Sequence, residues 1–343
     1  MSRDKKRIPF FISILLLWGN ASFAQQVSDF KPDQYRAVNL TTADGLPSGG
    51  SDVMLKDDKG FLWIGSNNGL KRFDGSIFKE YAPGDSTRGA INTTNIFPFV
   101  EDSLHNIWIG TQRGLSRYDS RADTFKNFFP STVTGIESHE GIIPFWATKN
   151  EVFCIEPGFR ITCYNVHSLV PTLIKQLSAR DSLHDGVARC SGIYDAFSNS
   201  IWLLSGASQP GLIQIYVAAN PEIRHHKYQI FKKNGDVIGH GSDSEAMCLD
   251  KKRNCIWLNS SEGLIQFTLS DQQFHYVHGL DAFTDLKDYR RYVGIDIDRN
   301  GRIWLATGPG GFLIYDPETQ QLSQPLSDPV TENTVLILLL LFK

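Results

Sequence analysis

The chain has 343 residues, with 34 Lys and Arg against 37 Asp and Glu, 41% hydrophobic and 21% charged residues, and a formal net charge of -3. This is the composition of a globular chain that buries a sizeable core, and without a basic cluster beyond the extreme N-terminus it excludes nucleic acid as a partner. The length would hold two ordinary domains, but a repeat fold of this size is a single unit.

The first 24 residues read as a signal peptide. Arg3, Lys5, Lys6 and Arg7 form a positive n-region, residues 10–18 form a short apolar run, and Ser22-Phe23-Ala24 supplies small residues at a cleavage site. The apolar run falls short of the ~20 residues that span a bilayer, so an uncleaved anchor is the weaker alternative. The expected mature chain starts at Gln25 in the periplasm, carries no membrane span, and passes through a short linker at 25–34. Residues 35–40 then read as an outer strand without its own blade, followed by D-G-L-P at 44–47.

Residues 61–74, F-L-W-I-G-S-N-N-G-L-K-R-F-D, read as a β-hairpin, and the chain writes it again as N-I-W-I-G-T-Q-R-G-L-S-R-Y-D at 106–119. Weaker copies lie at 255–268 and 302–316, one with a longer turn lies at 200–216, and a degenerate one at 151–165 puts Phe153 in the Trp position. Trp63 to Trp108 and Trp108 to Phe153 are each 45 residues, and the later intervals to Trp202, Trp257 and Trp304 are 49, 55 and 47. Short strands and Gly-rich turns at that period predict an all-β fold. The prediction is a β-propeller of six complete four-stranded blades plus a partial seventh, over residues 35–343.

Each unit divides alike. An apolar strand a ends near an Asp (53–57, 96–102, 193–195, 246–250, 293–298), and a tight turn leads to the Trp-bearing strand b. Strand c begins at Gly69, Gly114, Gly211, Gly263 or Gly311, and strand d is predicted at 77–81, 124–128, 228–231 and 274–277. The repeated Trp63, Trp108, Trp202, Trp257 and Trp304, with Gly69, Gly114 and Gly263, are read as structural, because a residue present in every unit serves the unit. Length varies mainly in the d→a connections (82–95, 130–141, 178–189, 232–245, 278–291) and once in b→c, at 206–210. Both connections leave a blade at the same end, and binding residues concentrate on variable loops held by a rigid scaffold. The candidate ligand-binding residues are therefore Asn67, Asn68, Gln112, Arg113, Gln209 and Glu262, all in b→c turns.

No catalytic residues, cofactor or metal are assigned. Asp296-Ile-Asp298-Arg-Asn300-Gly301 opens like a calcium loop, but Thr307 stands where a bidentate carboxylate belongs, so an ordinary Asp-led turn is expected. The 65–71 stretch resembles a phosphate loop only superficially, because strand follows strand. His225 and His226 are adjacent in a strand and so face opposite ways. The five cysteines (154, 163, 190, 248, 255) are odd in number. Bridges 154–163 and 248–255 remain open beside the plainer reading of buried small hydrophobes. At the C-terminus the apolar run 335–342 falls in the strand-a slot of a seventh unit, so the chain reads as stopping mid-propeller.

The stretch D-G-L-P-S … V-M-L-K-D-D-K-G-F-L-W-I-G-S-N-N-G-L-K-R-F-D-G (44–75), with its second copy, resembles the two-component regulator propeller repeat. That repeat forms the periplasmic sensor region of hybrid two-component histidine kinases of Bacteroidetes type. The resemblance implies a truncated sensor module that binds a glycan fragment or similar small molecule, with homodimerisation through the sensor region. It implies no kinase activity here, since no phosphoacceptor or ATP-binding half follows. The competing readings are a propeller lyase or hydrolase resembling streptogramin lyase, with His139, Glu140, His184 and Asp185 as loop candidates, or a protein-docking platform.

Overall fold

The computed structural model describes residues 36–47, 53–84, 89–129, 141–178, 192–205, 211–227, 230–231, 237–238, 246–260, 263–277, 292–307, 311–323 and 334–339. Six four-stranded antiparallel sheets follow one another along the chain, each in the order a-b-c-d. Blade 1 comprises Val53–Lys56, Leu62–Ser66, Gly69–Phe73 and Phe78–Tyr81, and blade 2 Ile96–Glu101, Ile107–Thr111, Gly114–Asp119 and Thr124–Phe128. Blade 3 comprises Ile143–Ala147, Glu151–Glu156, Arg160–Asn165 and Pro171–Gln176, and blade 4 Gly192–Asp195, Ser200–Leu204, Gly211–Tyr216 and Ile223–Lys227. Blade 5 comprises Met247–Asp250, Cys255–Ser260, Gly263–Thr268 and Gln273–Tyr276, and blade 6 Tyr292–Ile297, Ile303–Thr307, Gly311–Asp316 and Gln321–Ser323. The a strands of consecutive blades pack on one another from the first blade to the sixth, so the sheets stand around an axis as a β-propeller.

A separate two-stranded sheet joins the two ends of the chain. Arg36–Thr41 pairs antiparallel with Thr334–Leu339 through six matched positions, from Arg36 opposite Leu339 to Thr41 opposite Thr334. The N-terminal strand thus meets the C-terminal run directly, and Leu40 and Leu46 carry on into the core of blade 1 beside Met54, Leu62 and Ile64.

Strand b explains the stacking. Leu62–Ser66 and Ile107–Thr111 are buried at every position, because both faces of the strand meet a neighbouring sheet. In blades 1, 2, 4 and 5 the Trp fills the gap to the next blade, where it meets the aromatic residue four places into strand c. Trp63 meets Tyr118, with ring centroids 4.8 Å apart, and Trp108 meets Tyr164 at 5.8 Å. Trp202 meets Phe267 at 5.3 Å and Trp257 meets Tyr315 at 6.0 Å. Between the third and fourth blades both partners change together, and Phe153 packs in one cluster with Ile215. The d strands form the outer edges, and Pro171, Lys79, Lys126, Lys175 and Lys227 on them blunt pairing with other chains.

The Asp closing strand a serves two purposes. Asp57 Oδ1 accepts from the amides of Lys59 (3.0 Å) and Phe61 (2.9 Å), while Oδ2 accepts from Trp63 Nε1 at 2.8 Å. Asp102 repeats this with Trp108 at 2.7 Å, Asp250 with Trp257 at 3.1 Å and Asp298 with Trp304 at 3.0 Å. Blade 3 lacks both members, since Thr148 opens its turn and the Phe153 side chain carries no N–H. In blade 4 Asp195 Oδ2 takes the Ser198 hydroxyl at 2.5 Å, and the buried Trp202 Nε1 has no hydrogen-bond partner among the described residues.

One strand is displaced from its expected place. Strand d of blade 4 is Ile223–Lys227, not 228–231. The Asn220-Pro221 turn folds the chain back at once, and Ile223 to Lys227 then pair with Ile215 to Gly211. Ile230–Phe231 instead pairs with Val237–Ile238 as a separate hairpin in the connection to blade 5.

Four cysteines are free. Cys163 lies opposite Phe153 and Cys154 opposite Thr162, so adjacent register positions put the two sulfurs on opposite faces. Cys248 lies opposite Trp257 and Cys255 opposite Asp250, two places apart along the pair. Neither the 154–163 nor the 248–255 bridge is formed, which leaves the plainer reading of buried thiols, and burial pushes the Cys154 and Cys248 thiols well up. Cys190 lies outside the described residues.

Candidate functional site

The b→c turns are built alike from the residue three places after the Trp. In blade 1 Ser66 Oγ accepts from the Asn68 amide at 3.0 Å, and Gly69, at φ 133, starts the return strand. In blade 2 Thr111 Oγ1 accepts from the Arg113 amide at 3.3 Å. Asn67, Asn68, Gln112 and Arg113 are all exposed at the turn tips. The other two candidates, Gln209 and Glu262, lie outside the described residues, as do His139, Glu140, His184 and Asp185.

The blade 1 to blade 2 connection folds down onto the second of these turns. Thr111 Oγ1 lies 3.0 Å from Asn92 Oδ1, the Gln112 amide donates to Asn95 O at 3.1 Å, and Asn95 Nδ2 donates to Gln112 Oε1 at 3.4 Å. Ile91 anchors the loop in the core between the blades. Asn127 Nδ2 donates to Ala90 O at 2.9 Å, and Asn127 Oδ1 accepts from Ser116 Oγ at 2.6 Å. Two of the expected residues, Gln112 and Arg113, are therefore gathered with Asn92 and Asn95, which loop length alone did not single out. Asn67 and Asn68 stand at the same end of the neighbouring blade. The cluster offers amide and guanidinium groups suited to hydroxyl or carboxylate oxygens, and no nucleophile paired with a base.

In blade 3 the Ser/Thr place of this rim is taken by the buried Glu156, whose Oε1 accepts from Thr162 Oγ1 at 3.1 Å and Tyr164 OH at 3.0 Å. Its carboxylate is engaged in holding strand c. The calcium-like segment 296–301 is likewise an ordinary turn, with Asp298 committed to the amides of Asn300 and Arg302, the Arg302 side chain and the Trp304 indole.

The opposite rim carries the a→b and c→d turns and is laced across the blade seams. Arg253 Nη2 meets Glu318 Oε1 at 2.7 Å between blades 5 and 6, and Lys79 pairs with Asp123 between blades 1 and 2. At that latter seam His105 Nδ1 lies 3.1 Å from both Asp58 Oδ2 and Glu101 Oε1, and the Asp58 amide donates to Glu101 Oε2 at 2.8 Å. Burial, then the neighbouring Asp58 and Asp57 carboxylates, push Glu101 up to about 7 against the opposing Asp58 amide and His105. None of these three was singled out from the sequence. The available signal was His105 in a turn position that Gly fills in blades 1 and 6.

No family model matches the sequence, and no curated protein matches it. Solved structures do. The extracellular domain of the hybrid two component system BT3049 from B. thetaiotaomicron superposes with a TM-score of 0.63 at 18% identity, covering 86% of this chain and 38% of that one. The extracellular domain of BT4673 from the same organism gives 0.63 at 19% identity, covering 84% and 38%. Virginiamycin B lyase from Staphylococcus aureus gives 0.55 at 15% identity, covering 80% and 86%.

The fold is that of these propellers. The chain spans 38% of the length of the two extracellular domains. Among the described residues, no helix is long and apolar enough to cross a membrane.

Proposed function

We propose that this propeller is a ligand-sensing module of a two-component regulatory system, exported to the periplasm by residues 1–24 and acting over residues 35–343. It binds an oligosaccharide fragment or similar polar small molecule on the rim of the b→c turns and releases it unchanged. The observation that carries this reading is the gathering of Asn92, Asn95, Gln112 and Arg113 on one rim of a propeller shared with extracellular two-component domains. Asn67 and Asn68 extend the same surface, Gln209 and Glu262 are assigned to it from their places in the sequence alone, and homodimerisation would pass the bound state onward. Side-chain amides and a guanidinium bind neutral or acidic sugars by hydrogen bonds without activating water.

The test is a thermal-shift screen of the purified chain against oligosaccharide digests, followed by chromatography of the recovered ligand. A raised unfolding midpoint with ligand returned intact is expected. Conversion of a ligand, abolished by substituting His139 or His184, would instead favour the lyase reading.

A further inference from the structure

From the side chains that meet across the seam of blades 1 and 2 on the plain rim, we propose that Asp58, Glu101 and His105 form a binding site for a divalent first-row transition-metal ion. The ligand atoms are Asp58 Oδ2, Glu101 Oε1 and His105 Nδ1, all within 4.8 Å of one another. Zinc bonds of about 2.0–2.2 Å to nitrogen and oxygen set donor atoms about 3.0–3.5 Å apart. The two 3.1 Å separations at His105 Nδ1 already match that spacing.

The donors come from two blades. Asp58 belongs to the a→b turn of the first, Glu101 ends strand a of the second, and His105 sits in the a→b turn of the second. The Asp58 amide holds the other Glu101 oxygen at 2.8 Å, which fixes the two turns against each other and leaves Oε1 directed at the imidazole. One imidazole nitrogen carries at most one proton, and that proton cannot serve two carboxylates equally. A cation at the common point answers both and cancels the repulsion between them. Between blades 5 and 6 the same rim uses a guanidinium for this purpose, with Arg253 between Asp250 and Glu318.

The backbone accommodates the imidazole. His105 has φ 62, in a turn position held by Gly60 and Gly301 or by Asn199 and Asn254 in other blades. Glycine, asparagine and histidine all accept that conformation, so the turn carries the imidazole without strain. One nitrogen and two carboxylate oxygens suit zinc or manganese better than calcium, which takes six to eight oxygen ligands. Three protein donors leave a coordination place for water. The ion would act as a staple between blades, on the rim opposite the proposed ligand surface, so its test is independent of that reading.

The experiment is calorimetric titration of tag-free, metal-stripped chain with ZnCl2, alongside His105→Asn, which supplies the residue that fills this turn position elsewhere, and Glu101→Gln. Expected are one high-affinity Zn²⁺ per chain, a raised unfolding midpoint with metal, and at least tenfold weaker binding in both variants. Metal-free urea unfolding verifies that His105→Asn folds, and His105→Gly replaces it if it does not. Zinc affinity unchanged within twofold in the variants, no zinc binding by folded wild type, or tighter binding of Ca²⁺ than of Zn²⁺ would each overturn the assignment.

Discussion

Trp257 and Trp202 hold the same place in adjacent blades and are equally buried, yet only Trp257 donates its indole N–H to the turn aspartate. Replacing either with Phe removes similar packing, so the difference between the two isolates one buried hydrogen bond. Trp257→Phe is expected to cost about 1 kcal/mol more than Trp202→Phe, read from urea unfolding midpoints, and equal losses would contradict the bond's contribution. The turn glycines separate in the same way. A Cβ at Gly114 would meet Phe128 O at 2.3 Å, whereas one at Gly69 meets nothing within 4 Å, although both have positive φ. Gly69→Ala should cost about 1–2 kcal/mol of backbone strain, and Gly114→Ala more, because strand d must move. The tryptophans and glycines were legible because they recur in frame. Their hydrogen bonds were not, since blade 4 keeps both Asp195 and Trp202 without joining them.

Strands a, b and c could be placed from pattern because both of their faces are covered. Strand d could not be placed equally well, because an outer edge faces solvent on one side and its periodicity fades. The sequence puts His225 and His226 in a strand, yet Ile-Arg-His-His-Lys at 223–227 is too polar to read as strand d, which falls instead on the more apolar 228–231. Adjacent His225 and His226 do face opposite ways: His225 is exposed, and His226 packs between Trp202 and Phe267 with Nε2 3.1 Å from Gln214 Oε1. Burial, then the Arg224 and His225 charges, hold His226 below the ordinary 6.5. In the unfolded chain that histidine takes up its proton first as the pH falls. Its contribution is therefore present above pH 6.5 and erodes as the pH drops through that value, until the folded group also protonates. Urea midpoints at pH 7.5 and 5.5 should fall less for His226→Gln than for wild type, and an identical fall would refute the assignment.

At the scale of the whole molecule, ring closure rests on the pairing of Arg36–Thr41 with Thr334–Leu339. Deleting 334–343 leaves an open strand edge, with an expected drop of several degrees in unfolding midpoint and concentration-dependent association. An unchanged midpoint and a monodisperse monomer would show that closure contributes nothing. The propeller and its loop-bearing rim were legible because connection lengths vary mainly at one end of each blade. Asn92 and Asn95 were not, because an irregular loop carries no period to place them. The Asp58, Glu101 and His105 meeting was hidden for a different reason: its donors lie 43 and 47 residues from Asp58 and converge only when two blades stack.

The most direct measurement is hydrogen exchange by mass spectrometry, with and without an oligosaccharide that raises the unfolding midpoint. Protection is expected in peptides covering 89–95 and 111–114, with the turns at 57–60 and 102–106 unchanged. Protection confined to those turns, or absent from both rims, would contradict a ligand surface on the b→c face.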